Sequence, residues 1–135
     1  MTFLSRREIS RFRNLVTHQQ WSEVAQLGER LLRKDPRDGM GIRYGVMDAY
    51  GVLGDDKKAE DLAIRYCDYG GDYWDETTYV SGAKVAKGWD AEQRATWMDT
   101  IETSLSFQFA MALWKGKRYE EAKRVLNAMP PFLKD

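Results

Sequence analysis

The residue types that most often carry catalysis or bind metals are scarce in this chain. His18 is the only histidine and Cys67 the only cysteine. The two are far apart in sequence, and neither stands beside the further ligands that a zinc site needs. His18 also lacks the nearby serine or cysteine that a general base would activate. We therefore predict no metal site, and we interpret His18 as a residue that favours the C-terminal end of a helix.

A second candidate is the segment "SGAK", from Ser81 to Lys84. It matches the Ser-x-x-Lys pattern in which a serine nucleophile of penicillin-recognising enzymes lies next to a lysine. The companion Ser-Asp-Asn and Lys-Thr-Gly motifs are missing, and a chain of 135 residues is too short for that fold. We interpret this short match as coincidence.

Two further segments, one rich in glycine and one rich in acidic residues, lack the features of known ligand-binding motifs. "GMG" has no preceding strand and no correctly placed third glycine, so it is not a dinucleotide fingerprint. "GDDKKAED" lacks the alternating oxygen ligands and the closing glutamate of a calcium loop. The sequence predicts no catalytic residue and no cofactor, and we expect a non-enzymatic protein.

Composition indicates one soluble globular domain spanning residues 1–135. Apolar residues make up 43% and charged residues 31%, and the formal net charge is zero. A neutral total argues against a dedicated nucleic-acid binder, which usually carries a basic excess. No stretch has the roughly 18 apolar residues that a membrane span needs. Together with the single cysteine and the lack of a signal-peptide pattern, this leads us to expect a cytoplasmic protein without a membrane segment.

The charges are nevertheless segregated. Residues 1–37 carry eight basic and four acidic residues, whereas residues 38–79 carry four and ten. Four of the basic residues crowd one short segment near the N-terminus: Arg6, Arg7, Arg11 and Arg13. Such a helix is either the solvated end of a helical array or a binding site for an anionic partner. A tyrosine- and tryptophan-rich stretch, residues 66–79, is open to a similar pair of interpretations, core packing or a binding hot spot.

Hydrophobic periodicity and Gly, Pro and Asp breaks predict an all-α chain of about eight helices. Ser5 and Glu8 have the spacing of a capping box at the first helix. No segment shows the two-residue alternation of a strand. The predicted helices cover residues 5–17, 21–35, 39–53, 56–66, 75–86, 91–101, 104–115 and 119–128.

The helices pair into repeating units. "QQWSEVAQLGERLLRKDP" and "KRYEEAKRVLNAMPP" share an aromatic residue, acidic residues, a small residue and a terminal proline. "LGDDKKAEDLA" repeats the small residue at Ala59, which lies 35 residues after Val24. A period near 34 residues in helix-turn-helix units is the tetratricopeptide signature, and the chain resembles that family over residues 5–130.

The resemblance implies an array of about four stacked antiparallel helix hairpins, a solenoid whose first helices line a concave surface for a peptide segment or a helix of a partner protein. The lining would then consist of Arg6, Ile9, Arg13, Tyr44, Asp48, Tyr79, Phe107 and Met111. The alternative is a small helical protein that docks on a nucleic-acid-associated complex through its basic N-terminal helix.

Small residues in "GMGIRYG" fit such stacking. Gly41 and Gly45 are four residues apart and would share a helical face with Ala49. A glycine inside a helix costs about 1 kcal/mol relative to alanine. We therefore expect a neighbouring helix that approaches this face too closely for a larger side chain.

Overall fold

The computed structural model of the protein describes residues 4–66, Glu92 and 103–127. Within these residues all regular secondary structure is helical, which confirms the all-α prediction for this part of the chain. The helices predicted over residues 75–86 and 91–101 lie outside the described residues. In chain order the described helices are α1 (Arg6–Thr17), α2 (Trp21–Lys34), α3 (Ile42–Leu53), α4 (Asp56–Arg65), α5 (Thr103–Lys115) and α6 (Tyr119–Asn127).

Side-chain caps set several helix ends. At α1 the Ser5 hydroxyl accepts the Glu8 N–H at 3.1 Å, and Glu8 Oε1 accepts the Ser5 N–H at 2.9 Å, which confirms the predicted capping box. Asp55 caps α4 by accepting the Lys58 N–H at 3.2 Å. Gly54, in the left-handed conformation at φ 71°, ends α3.

Helix α3 starts three residues later than predicted, at Ile42 instead of Gly39. The buried Asp38 carboxylate accepts the N–H groups of Ile42 and Arg43 at 2.7 and 2.8 Å, so it satisfies the first donors of the helix. Gly41 has a φ of 73°, which is outside the helical region. Gly41 therefore belongs to the turn, and it is not part of the small-residue face predicted for this helix.

The described helices form three hairpins, α1–α2, α3–α4 and α5–α6. Helix α3 packs against α2 on one side and α5 on the other, and α4 also contacts α5. A continuous core lies between these helices, because each contributes apolar residues from one face. Its largest fully buried side chains are Phe109, Leu31, Leu32, Met47, Leu62, Ile64, Leu105, Leu113, Val24, Val46 and Val125.

Side chains of two other helices contact α3 at glycine positions. A Cβ at Gly45 would lie 2.8 Å from the Phe12 ring of α1, so the ring packs directly on the α3 backbone. A Cβ at Gly51 would lie 3.4 Å from Ala112 Cβ of α5. The expected close approach at Gly45 is thus confirmed, whereas at Gly51 an added Cβ would make ordinary van der Waals contact with α5.

The three described hairpins pack side by side in chain order. Helix α5 runs parallel to α3, with Gln108 beside Tyr44 and Asp48 and with Ala112 beside Gly51. The hairpin of residues 103–127 therefore packs directly on that of residues 42–65. The small side chains at the contact and the Gln108 hydrogen bonds account for this pairing.

Replacing Gly28 by alanine tests the close packing of α2 on α3. Alanine is normally favoured in a helix by about 1 kcal/mol. Here its Cβ would overlap the Val46 Cγ2 methyl and lie 3.0 Å from the Phe12 ring. Val46 is fully buried, and its branched side chain has little rotamer freedom. We expect Gly28→Ala to lower the urea midpoint, with Gly39→Ala as a control because nothing lies within 4 Å of that Cβ. An unchanged midpoint for Gly28→Ala would contradict this packing.

Overpacking at Ala122 tests the last hairpin. Ala122 is fully buried on α6, and the preceding Tyr119 packs edge-on against Trp114 of α5, with ring centroids 4.7 Å apart. We expect Ala122→Leu to lower the free energy of unfolding by about 1–3 kcal/mol. The control is Lys123→Leu on the exposed side of the same helix, which should change it far less. Equal unfolding midpoints for Ala122→Leu and the parent would mean that the hairpin is wrongly placed.

Candidate functional site

The structure brings three of the predicted lining residues together. Arg6, Ile9 and Arg13 project from successive turns of α1 and line one cleft of about 540 Å³. Met40, from the turn before α3, forms another part of its wall. Ile9 is half-buried, whereas Arg6, Arg13 and Met40 are exposed. The cleft therefore combines guanidinium groups with apolar side chains.

A second depression, of about 760 Å³, follows the other flank of α1. Arg7, Arg11 and His18 line it together with Arg6, which borders both depressions, and with Leu15. His18 occupies the C-cap of α1, and its Nδ1 lies 2.8 Å from the carbonyl oxygen of Asn14. This agrees with the prediction of a helix-terminal histidine.

The α1 arginines differ from the arginines between the hairpins. Arg43 pairs with Asp38 and Arg65 with Glu29, both at 2.8 Å. Arg6 and Arg13, like Arg7 and Arg11, form no ion pair with any residue that the structure describes. Their guanidinium groups are available to an external anion.

An ion pair holds α1 against α2 near the cleft. Lys34 Nζ lies 2.8 Å from Glu8 Oε2. The hydrogen bond from Lys34, followed by that from the Ser5 backbone, lowers the pKa of the Glu8 carboxyl to about 2. The ion pair therefore persists well below the pH at which a free glutamate would be protonated.

Tyr44 and Asp48 lie on α3, where neighbouring side chains hold them. Arg43 Nη2 donates to the Tyr44 hydroxyl at 2.8 Å, and its guanidinium carbon lies 4.4 Å from the Tyr44 ring centroid. Gln108 Nε2 donates to Asp48 Oδ1 at 2.8 Å and to the Tyr44 carbonyl at 3.2 Å. Both residues thus lie at the junction of α3 with α5.

The remaining predicted lining residues divide in two groups. Phe107 and Met111 lie on the exposed side of α5, at 50% and 43% exposure. Tyr79 lies outside the described residues, as do Cys67 and the Ser81–Lys84 segment. The structure thus places Arg6, Ile9 and Arg13 in one cleft, whereas Phe107 and Met111 belong to a different helix surface.

Sequence reasoning missed Met40, Gln108 and Trp114. Met40 precedes its helix, so helical periodicity does not apply to it. Gln108 is a polar residue between two phenylalanines of its helix, a signal of a specific interhelical hydrogen bond. Trp114 lies three residues after Met111, and this spacing could have placed both on one face.

The remaining polar clusters are occupied by structural contacts. Burial raises the pKa of the Asp38 carboxyl, against the opposing effect of the Arg43 and Ile42 donors. The hydrogen bond to Glu121 raises the pKa of Arg118, which also faces Glu60 and Asp56. Among residues 4–66, Glu92 and 103–127 there is no group of three or more side chains placed to hold a metal ion.

Within the described part of the chain, no helix combines the length and the apolar character required to cross a membrane. Comparisons of the chain with protein-family models, curated proteins and solved structures gave no match. The arrangement of the clefts and charges is thus the basis for a functional assignment.

The Glu8–Lys34 ion pair leads to a prediction of how the stability of the protein depends on pH. The folded-state pKa is about 2, below the ordinary 4.5, so the ionised carboxylate favours the folded state. This contribution is fully present above pH 4.5 and is lost as the pH falls through about 2. Glu8→Gln keeps the capping box but removes the charge. We expect its urea midpoint to lie slightly below that of the parent at pH 7, with the gap closing towards pH 2. A gap independent of pH would show that the charge does not contribute.

Proposed function

We propose that the protein is a non-enzymatic interaction module that binds an extended acidic and aromatic segment of a partner protein. The observation that carries the proposal is the cleft lined by Arg6, Ile9, Arg13 and Met40. In it, two arginines that form no ion pair with any described residue flank apolar side chains. Arginine forms bidentate, charge-assisted hydrogen bonds with carboxylates. Ile9 and Met40 would pack against aromatic or aliphatic side chains of the same segment.

The proposal includes a tetratricopeptide-like stack of hairpins. The first helices α1 and α3 meet through Phe12 and Gly45, and α5 runs parallel to α3, as expected of such a stack. Tyr44 and Asp48 on α3 would extend the binding surface beyond the α1 cleft, whereas Phe107 and Met111 lie on the separate exposed side of α5. In this family a clamp for a terminal carboxylate uses lysine and asparagine, which Tyr44 and Asp48 do not supply. We therefore propose an internal segment of the partner as the ligand, in the cytoplasm.

The second flank of α1 favours one alternative, docking on a nucleic-acid-associated complex. Arg7 and Arg11 line this flank and have no ion-pair partner among the described residues. The zero net charge of the chain weighs against direct nucleic-acid binding. Retention on a heparin column that depends on Arg7 and Arg11 but not on Arg13 would favour the alternative, because Arg6 borders both depressions.

The double substitution Arg6→Ala with Arg13→Ala tests the α1 cleft. The measurement is the affinity for acidic-aromatic 12-residue peptides, selected from a library on the full chain, at two salt concentrations. We expect the affinity to fall about tenfold or more, because each lost charge-assisted hydrogen bond contributes roughly 1.5–3 kcal/mol. The salt dependence should flatten. Stability should be nearly unchanged, because exposed charges contribute little to folding.

The matched control is Arg30→Ala with Lys57→Ala, which removes the same charge from exposed positions on α2 and α4. This control should bind the peptides with nearly the parent affinity. It loses only the weak long-range electrostatic attraction between the removed charges and the acidic peptide. Equal affinities and equal salt slopes for the parent and the Arg6/Arg13 variant would show that α1 is only a solvated end helix.

A further inference from the structure

Helix α5 exposes an apolar ridge that the fold does not use. The exposed fractions are 50% for Phe107, 43% for Met111 and 47% for Trp114. We call these three residues the α5 ridge. The opposite side of the helix, with Leu105, Phe109 and others, is buried in the core. The helix is therefore held firmly while three large apolar side chains face outwards.

The spacing of the ridge suits a helical ligand. Phe107, Met111 and Trp114 are separated by four and then three residues, which is the seam spacing of helices that pack side by side. Tyr119 packs edge-on against Trp114 at an interplanar angle of 68°. Because this contact restrains the indole, the ridge is partly preorganised, and less side-chain freedom is lost on binding.

The charges beside the ridge specify the chemistry of that ligand. Helix α5 contains no Asp or Glu, and Lys115 and Lys117 lie exposed at its C-terminal end. Within the described residues neither lysine forms an ion pair. The nearby Arg118 is already engaged by Glu121, Glu60 and Asp56. The Asp56 carboxylate also lies against the Gly116 backbone, so this end of the helix carries acidic groups as well. Lys115 and Lys117 are the charges here that have no ion-pair partner among the described residues.

We propose that the α5 ridge binds an acidic amphipathic helix of a partner protein, with its apolar seam on Phe107, Met111 and Trp114 and its carboxylates facing Lys115 and Lys117. This surface is separate from the α1 cleft, and the proposal does not depend on that cleft. An antiparallel orientation is favoured, because it places the N-terminal turn of the partner helix next to the lysines. Acidic residues in that turn also interact favourably with their own helix dipole.

A second copy of this chain fits the ridge less well. Antiparallel pairing of two α5 helices about Met111 would set Phe107 of one copy opposite Trp114 of the other. The paired helices would offer no carboxylate to Lys115, since α5 has none. Charge complementarity therefore favours a different, acidic helix over self-association.

The test uses the full chain and two fluorescent 22-residue helical peptides with leucine at alternating three- and four-residue spacing. One probe carries glutamate on both flanks of the seam and the other lysine, each at a concentration where sedimentation shows it monomeric. We expect the parent to bind the glutamate probe about tenfold or more tightly than the lysine probe. Phe107→Ala with Met111→Ala should weaken glutamate-probe binding about tenfold or more.

Two further variants separate the apolar and charged contributions. Leu53→Ala, which changes another exposed apolar residue at 50% exposure, should leave the affinity unchanged. Lys115→Gln with Lys117→Gln should reduce the preference for the glutamate probe to about threefold or less. Circular dichroism confirms that each variant is folded, and the Arg6/Arg13 variant should bind the probe as the parent does.

Several outcomes would overturn the proposal. The parent could bind neither probe, or bind both equally, or keep its affinity after substitution of Phe107 and Met111. A charge preference that survives removal of both lysines would also contradict it. A parent dimer in sedimentation equilibrium that Phe107→Ala with Met111→Ala converts to monomer would identify a second copy as the occupant. Loss of probe binding in the Arg6/Arg13 variant would show that the two surfaces are not separate.

Discussion

The ion pair between Arg65 of α4 and Glu29 of α2 fixes the first two hairpins relative to each other. Both guanidinium nitrogens lie 2.8 Å from the two carboxylate oxygens, and the Tyr50 hydroxyl of α3 donates to the same carboxylate at 2.9 Å. Arg65 retains only 7% side-chain exposure, so removal of Glu29 would leave a nearly buried charge without this partner. One carboxylate thus joins α2, α3 and α4, and α1 and α5 both pack against α3.

The orientation of α3 then decides which surfaces the other helices expose. Gly45 accepts the Phe12 ring of α1, and Gly51 accepts Ala112 of α5. Phe12 is therefore turned inwards, which leaves the α1 arginines in solvent. The contact at Ala112 likewise leaves Met111 on the open side of α5. A basic surface on α1 and an apolar surface on α5 are thus consequences of how these helices pack on one central helix.

The sequence was sufficient for local features and insufficient for tertiary ones. The capping box of Ser5 and Glu8 and the break at Gly54 depend on residues within a few positions, so their types and spacing predict them. The start of α3 was missed because Asp38 reaches past Gly41 to cap Ile42. Helical periodicity predicts that a face is buried but not which helix covers it, so the direct packing of α5 on α3 was not predicted. The α1 cleft was anticipated in part, since Arg6, Ile9 and Arg13 share a helical face, whereas Met40 joins them only through the fold.

Some of the described charged and apolar residues make contacts that stabilise the fold, whereas others are exposed and make few such contacts. Arg43, Arg65 and Arg118 each have carboxylate partners between or within hairpins, whereas the α1 arginines have none among the described residues. Exposed charges add little to folding stability, and exposed aromatic side chains add less than buried ones. Neither the α1 cleft nor the α5 ridge is therefore explained by stability. The two surfaces lie on α1 and α5, with α3 packed against both, and they differ in chemistry.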